Sequence, residues 1–187
     1  MCAGAVSSFF VLGMMFPPHI IPKEAVKIQD SSAAASAATT SHVYGLPMRL
    51  TIPKIDVNAA ISYMGLTASG NMEAPKTNED SGWYKYGPHP GNTGSAVIAG
   101  HLGVGSRAVF SELGLLTKGD TISVTDDHGQ TVSFTVTHTQ TYAYDTEPSE
   151  VFTSSSGAHL NLITCNGDWD STKRTYSERL VVFADRV

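Results

Sequence analysis

The chain has 187 residues, a formal charge of −5 and a charged fraction of only 16%. That length holds one ordinary domain plus a tail, with a core large enough to be stable without disulfides. An acidic balance without any Lys/Arg cluster excludes the basic face of a nucleic-acid binder, and two cysteines in unrelated segments, Cys2 and Cys165, exclude a disulfide-stapled secreted scaffold.

Residues 1–21 contain no Asp, Glu, Lys or Arg and include Phe9, Phe10, Val11, Leu12, Met14, Met15 and Phe16. A run of about 20 apolar residues can cross a bilayer as a helix. The expectation is a signal anchor or signal peptide, with the domain held at the extracellular face of the cell membrane. Pro17 and Pro18 would end such a helix early and the usual basic flank is missing, which fits a truncated start. Residues 22–46 read as a flexible linker. Within it, residues 29–42 are almost all small or polar and bury too little apolar surface to offset their ordering entropy. The folded domain is expected over 47–187.

From Pro47 the signals are strand and turn. Arg49-Leu50-Thr51-Ile52 leads through Pro53 to Val57 and to Ala60-Ile61. Thr121-Ile122-Ser123-Val124 and Thr131-Val132-Ser133-Phe134-Thr135-Val136 alternate polar and apolar around Asp126-Asp127-His128-Gly129, which predicts a β-hairpin. The best helix candidate is 108–116, where Phe110, Leu113 and Leu116 share a face before Lys118-Gly119-Asp120. Many short strands with little helix predict a mainly β protein, a barrel or sandwich.

Two apolar runs end on reactive side chains. Ser95-Ala96-Val97-Ile98-Ala99-Gly100 leads to His101, and Leu160-Asn161-Leu162-Ile163-Thr164 leads to Cys165. A third run, Leu180-Val181-Val182-Phe183-Ala184, follows Arg179. A thiol with a reference pKa of about 8.5 attacks a carbonyl only as thiolate, so it needs a nearby cation or base. His101 is a candidate acid and base; Arg179 stays charged and can only stabilise electrostatically. The plainer readings are an inert buried thiol, a structural histidine and a solvated arginine.

The four segments together resemble the sortase family. Arg49-Leu50-Thr51-Ile52-Pro53-Lys54-Ile55 is similar to its first barrel strand, and Gly94 to His101 to its histidine strand. Leu162-Ile163-Thr164-Cys165 resembles its TLxTC motif, and Tyr176-Ser177-Glu178-Arg179-Leu180-Val181-Val182 its arginine strand. The resemblance runs from about Pro47 to the C-terminus, in family order. It implies a closed eight-stranded β-barrel with short helices. It also implies a cysteine transpeptidase of Gram-positive-type cell surfaces, cleaving an LPxTG-type sorting signal between Thr and Gly through a thioester and passing the acyl group to a cell-wall amine. By the same resemblance Cys165 is the nucleophile, His101 the acid/base and Arg179 the oxyanion and substrate stabiliser. Thr164 and Ala99, beside them, and Val151 and Phe152, in the loop before the cysteine strand, are implied substrate contacts. The implied partners are LPxTG-bearing surface proteins, a cell-wall precursor amine and, through residues 1–21, the membrane.

Low helix content, Gly82-Trp83-Tyr84 followed by Pro90-Gly91, and the lack of a long lid-like insertion look more like class F or class D/E than pilin-polymerising sortases. Trp83 and Trp169 could line a groove, although core packing is the commoner role of a tryptophan. Asp145, Glu147 and Glu150 form an acidic set, read as a solvated loop because the rest of a calcium shell is missing. His89, His128, His138 and His159 lack zinc-type spacing, so neither a metal nor a cofactor is expected. A hydrolytic cysteine peptidase and a catalytically silent peptide-binding barrel are the competing readings.

Overall fold

The computed structural model describes residues 43–103, 107–146, 148–153 and 156–187. Eight strands close into a barrel: β1 (Pro47–Ile52), β2 (Val57–Met64), β3 (Ser81–Tyr84), β4 (Gly94–Ala99), β5 (Thr121–Asp126), β6 (Thr131–Ala143), β7 (Ala158–Asp170) and β8 (Thr175–Arg186). Their order around the barrel is β1-β2-β3-β4-β7-β8-β6-β5, with β5 pairing back onto β1. The pairs β2–β3 and β4–β7 are parallel and the remainder antiparallel. Within the barrel, closure gives every strand a partner on both sides.

The strand patterns follow from which faces are covered. In β5 and the first half of β6 every second residue is buried, so Ile122, Val124, Val132, Phe134 and Val136 point into the barrel while the threonines and serines between them face out. Strand β4 is buried along almost its whole length, as a parallel strand covered on both faces must be. Its Ala96 and Ile98 join the barrel core with Leu50, Ile52, Trp83, Leu160, Leu162 and Val182. Val97, from its other face, packs with Val181 and Val151 in a second cluster outside the barrel.

The hairpin expected around residues 126–129 is present. Asp126 closes it by accepting the backbone N–H groups of His128 and Gln130, and Gly129 takes the left-handed conformation (φ +76°) that the turn requires. The helix expected over 108–116 is not formed; it is a series of turns with a single 3-10 turn at Leu113–Leu115. Ser111 Oγ accepts the Ala108 N–H and donates to the Leu102 carbonyl, a local alternative to helical bonding, and Gly114 sits at the centre of the segment. Phe110, Leu113 and Leu116 are nevertheless all buried in the barrel core, because residues three apart also line one side of a 3-10 turn.

The expected apolar segment 1–21 and linker residues 22–42 lie outside the described residues. The last linker positions are fastened to the domain: the N–H groups of Tyr44, Gly45 and Leu46 donate to Asn92 Oδ1, Asp126 Oδ2 and Asp127 Oδ1. Among the described residues no helix is long and apolar enough to cross a membrane.

Candidate active site

Cys165 lies within β7 and Arg179 within β8, not at strand ends as the apolar runs suggest, because both strands continue into a long hairpin past the barrel. Alternation sets their direction. Leu160 and Leu162 face the barrel core, so Ile163 and Cys165 face outward; Val182 and Ala184 face inward, so Arg179, Val181 and Phe183 face outward. Cys165 and Arg179 are direct register partners, which brings their side chains to one face, with Cβ atoms about 5 Å apart for such a pair. The thiol is free and half-buried.

His101 follows β4 by two residues. The parallel pairing of β4 with β7 sets Ala99 against Ile163, and Gly100 N–H extends the ladder to the Ile163 carbonyl. Thr164, pointing inward and buried, donates its hydroxyl to the Gly100 carbonyl at 2.9 Å. The residue preceding Cys165 thus fixes the peptide preceding His101. Gly100 itself is packed so closely that an added Cβ would meet the Phe110 ring and Val109. His101 Nε2 lies 2.8 Å from the Pro75 carbonyl. A carbonyl only accepts, so Nε2 carries hydrogen and Nδ1 is the nitrogen left to exchange a proton. Pro75 belongs to the 65–80 connection between β2 and β3, which is braced against the site by the Val109 N–H donating to the Asn78 carbonyl.

Arg179 holds its guanidinium along its own strand: Nη1 donates to the carbonyls of Tyr176 and Glu178, and Nη2 to Thr175 Oγ1. Two of its partners, Thr175 and Tyr176, line a cavity of about 340 Å³ together with Asn78, His101, Leu102, Gly103, Cys165, Trp169 and Arg174. A β-bulge after Asn166, with Gly167 at φ +77°, bends β7 there, and Trp169 stands edge-on to Tyr176. The structure therefore brings His101 and Cys165 into one cavity, with Arg179 beside Cys165. Trp169 is on its wall, whereas Trp83 is a core residue bonded through Nε1 to the Pro88 carbonyl.

On the other side of Cys165 the outer face is apolar. Ala99, Ile163 and Val181 form one row across β4, β7 and β8, and Val97, Asn161 and Phe183 the next. The one-turn helix α1 (Ser149–Phe152) covers this face. Val151 is 1% exposed and belongs to the packing beneath α1, so it is not at the surface where a substrate would meet it; a helix of one turn buries its single inward apolar residue. Phe152, 42% exposed, stands edge-on to Tyr84. Asn161 ties α1 down by donating Nδ2 to the Val151 carbonyl at 2.6 Å, and its buried Oδ1 has no partner among the described residues. Tyr142, the register partner of Arg179 on β6, donates to Glu150. Burial, together with that bond and the Glu150 charge, pushes its hydroxyl up to about 12. Of the expected acidic set, Glu150 is engaged in this way and Glu147 lies outside the described residues. Asp126, Asp127 and His128 gather elsewhere, on the β5–β6 turn, where Asp126 accepts three backbone N–H groups and serves the turn.

Comparison with known proteins identifies the family. The model of the Sortase domain family matches residues 50–187. The chain belongs to the sortase family. Its fold is similar to that of sortase C-1 from Actinomyces oris, at 24% identity over 74% of this chain and 72% of that one, with a TM-score of 0.59. It is equally similar to the pilus-related sortase C of Group B Streptococcus (21% identity, 79% and 70% covered, TM-score 0.60). Sortase A from Corynebacterium diphtheriae gives 23% identity, 77% and 61% covered, and a TM-score of 0.59. At these identities the likeness concerns the fold, and this sortase spans between 61% and 72% of the three chains' lengths. Among curated proteins none matches the chain.

Sequence reasoning missed Pro75, Asn78 and Arg174. Pro75 acts through a backbone carbonyl, which leaves no side-chain signature, and Asn78 reaches the cavity only because the 65–80 connection folds over it.

Proposed function

We propose that this sortase cleaves an LPxTG-type sorting signal between Thr and Gly and transfers the Thr acyl group to an amine. The observation that carries this reading is the placement of Cys165 and His101 on one cavity, with Arg179 the register partner of Cys165. Sγ of Cys165, its proton passed to His101 Nδ1, adds to the Thr carbonyl, Arg179 stabilises the negative oxygen that develops, and Nδ1 gives the proton to the departing glycine nitrogen as the C–N bond breaks. An incoming amine then loses a proton to His101, attacks the thioester and frees the thiol. Half-buried Ala99 and Ile163 suit the Leu-Pro end of the signal, with exposed Phe152 at their border.

The test is mass spectrometry of the protein incubated with an LPxTG peptide. Wild type should gain the mass of the acyl fragment on Cys165, and Cys165→Ala should gain nothing while keeping its thermal unfolding transition. Cleavage by Cys165→Ala at the wild-type rate would end this reading. Comparing products with and without added amine separates transfer from hydrolysis. We further propose that residues 1–21 tether the domain to the extracellular face of the membrane; the apolar composition of 1–21 and the small, polar residues 29–42 support that reading.

A further inference from the structure

The transfer reaction proposed above requires an acceptor, and the cavity beside Cys165 carries chemistry that selects one. His101 must lie within hydrogen-bond reach of both the departing and the incoming nitrogen, about 2.6–3.2 Å, so both occupy the side of Cys165 that His101 lines. That side is the 340 Å³ cavity, not the apolar row beneath α1. Among the described residues its lining includes no carboxylate, and Arg174 is the one permanently charged side chain there.

Arg174 is placed and left unengaged by its turn. Asp170 Oδ1 accepts the N–H groups of Thr172 and Lys173, which shapes the β7–β8 connection, and Lys173 lies over the Tyr144 ring. Arg174 then takes φ +54°, a left-handed conformation unfavourable for any residue with a Cβ and shared with only one other non-glycine among the described residues. No hydrogen bond or ion pair holds its guanidinium among the described residues, whereas Arg179 is bonded to Thr175, Tyr176 and Glu178. Two carboxylates of the hairpin are engaged elsewhere: Glu178 accepts from Asn166, and Asp170 from the turn. Trp169, 55% exposed and edge-on to Tyr176, adds a flat wall beside it.

We propose that Arg174 binds a carboxylate of the acceptor, so that the acceptor class is a primary amine carrying a free carboxylate, as in a short peptide with an open C-terminus. The guanidinium fork pairs with a carboxylate through two parallel hydrogen bonds, and this fixes the distance from the carboxylate to the amine at the thioester. The proposal rests on the transfer reading, since it names that reaction's second substrate.

The test compares Gly-Gly-Gly with its C-terminal amide, which share one amine and differ in the carboxylate. With the full chain and an LPxTG donor, wild type should show an acceptor KM about tenfold lower for the free acid, and Arg174→Gln should bring the two acceptors to the same KM. Arg174→Lys should retain part of the preference. Binding of the two peptides, followed through emission of exposed Trp169 against buried Trp83, should show the same ratio without turnover. Equal use of acid and amide by wild type would overturn the proposal whatever the variants do, and so would an unchanged ratio in Arg174→Gln. Failure of Cys165 to form a thioester would instead count against the transfer reading, while the binding titration still decides whether Arg174 holds the carboxylate.

Discussion

Thr164 shows how one residue couples two others. Its hydroxyl is buried and bonded to the Gly100 carbonyl, so the peptide preceding His101 takes its position from the residue preceding Cys165. Thr164→Val keeps the shape and removes the donor, leaving a buried carbonyl with one bond fewer. The expected cost is about 1–2 kcal/mol of stability in urea unfolding, with a fall in kcat larger than the loss of folded protein explains. A variant with wild-type kcat would show that His101 is held by Pro75 alone. Sequence pattern marked Thr164 as a strand residue beside a cysteine, and the resemblance made it a substrate contact. In the structure its hydroxyl faces into the barrel, a direction that the two-residue period of the strand sets once Leu162 is known to be core.

At the scale of elements, the connection between β6 and β7 is held at two points. Asn161 bonds the Val151 carbonyl under α1, and His159 joins Asp185 of β8 to the Ser156 carbonyl through its two ring nitrogens, each at 2.6 Å. Both partners of His159 only accept, so the doubly donating imidazolium suits this position. Burial works against the charge, and the Ser156 carbonyl and the Asp185 carboxylate outweigh it, so the pKa is raised. The native state then holds its proton more tightly than the unfolded chain, whose histidine titrates near pH 6.5. The stabilisation is complete below about pH 6.5 and is lost as pH rises through the native value. Melting temperature should therefore fall across that range in wild type, and His159→Gln should flatten this part of the profile. An identical pH dependence in both proteins would remove His159 from the account. The sequence offered His159 only as one of several histidines without zinc spacing; its partners come from register and loop closure.

For the whole molecule, closure of the barrel makes every strand depend on the same interior. Phe134 from β6 is 0% exposed and shares that interior with Leu50 of β1, Ile98 of β4 and Leu162 of β7. Phe134→Ala should cost about 3–5 kcal/mol and should lower in parallel the transitions seen by buried Trp83 and by far-ultraviolet circular dichroism. Separate transitions would mean that the barrel unfolds in parts. The sequence by itself determined most strands and the β5–β6 hairpin, because alternation and turn chemistry are local properties. It misassigned 108–116, where i, i+3 spacing fits a 3-10 turn as well as a helix. The resemblance implied Val151 as a substrate contact, and the structure packs it beneath α1. Only the tertiary structure decided that Cys165 faces Arg179, that His101 presents Nδ1 and that Arg174 lines the same cavity. Those relations depend on strand register, a bulge after Asn166 and a loop folded over from β2, which join residues far apart in the chain and leave no periodic trace within it.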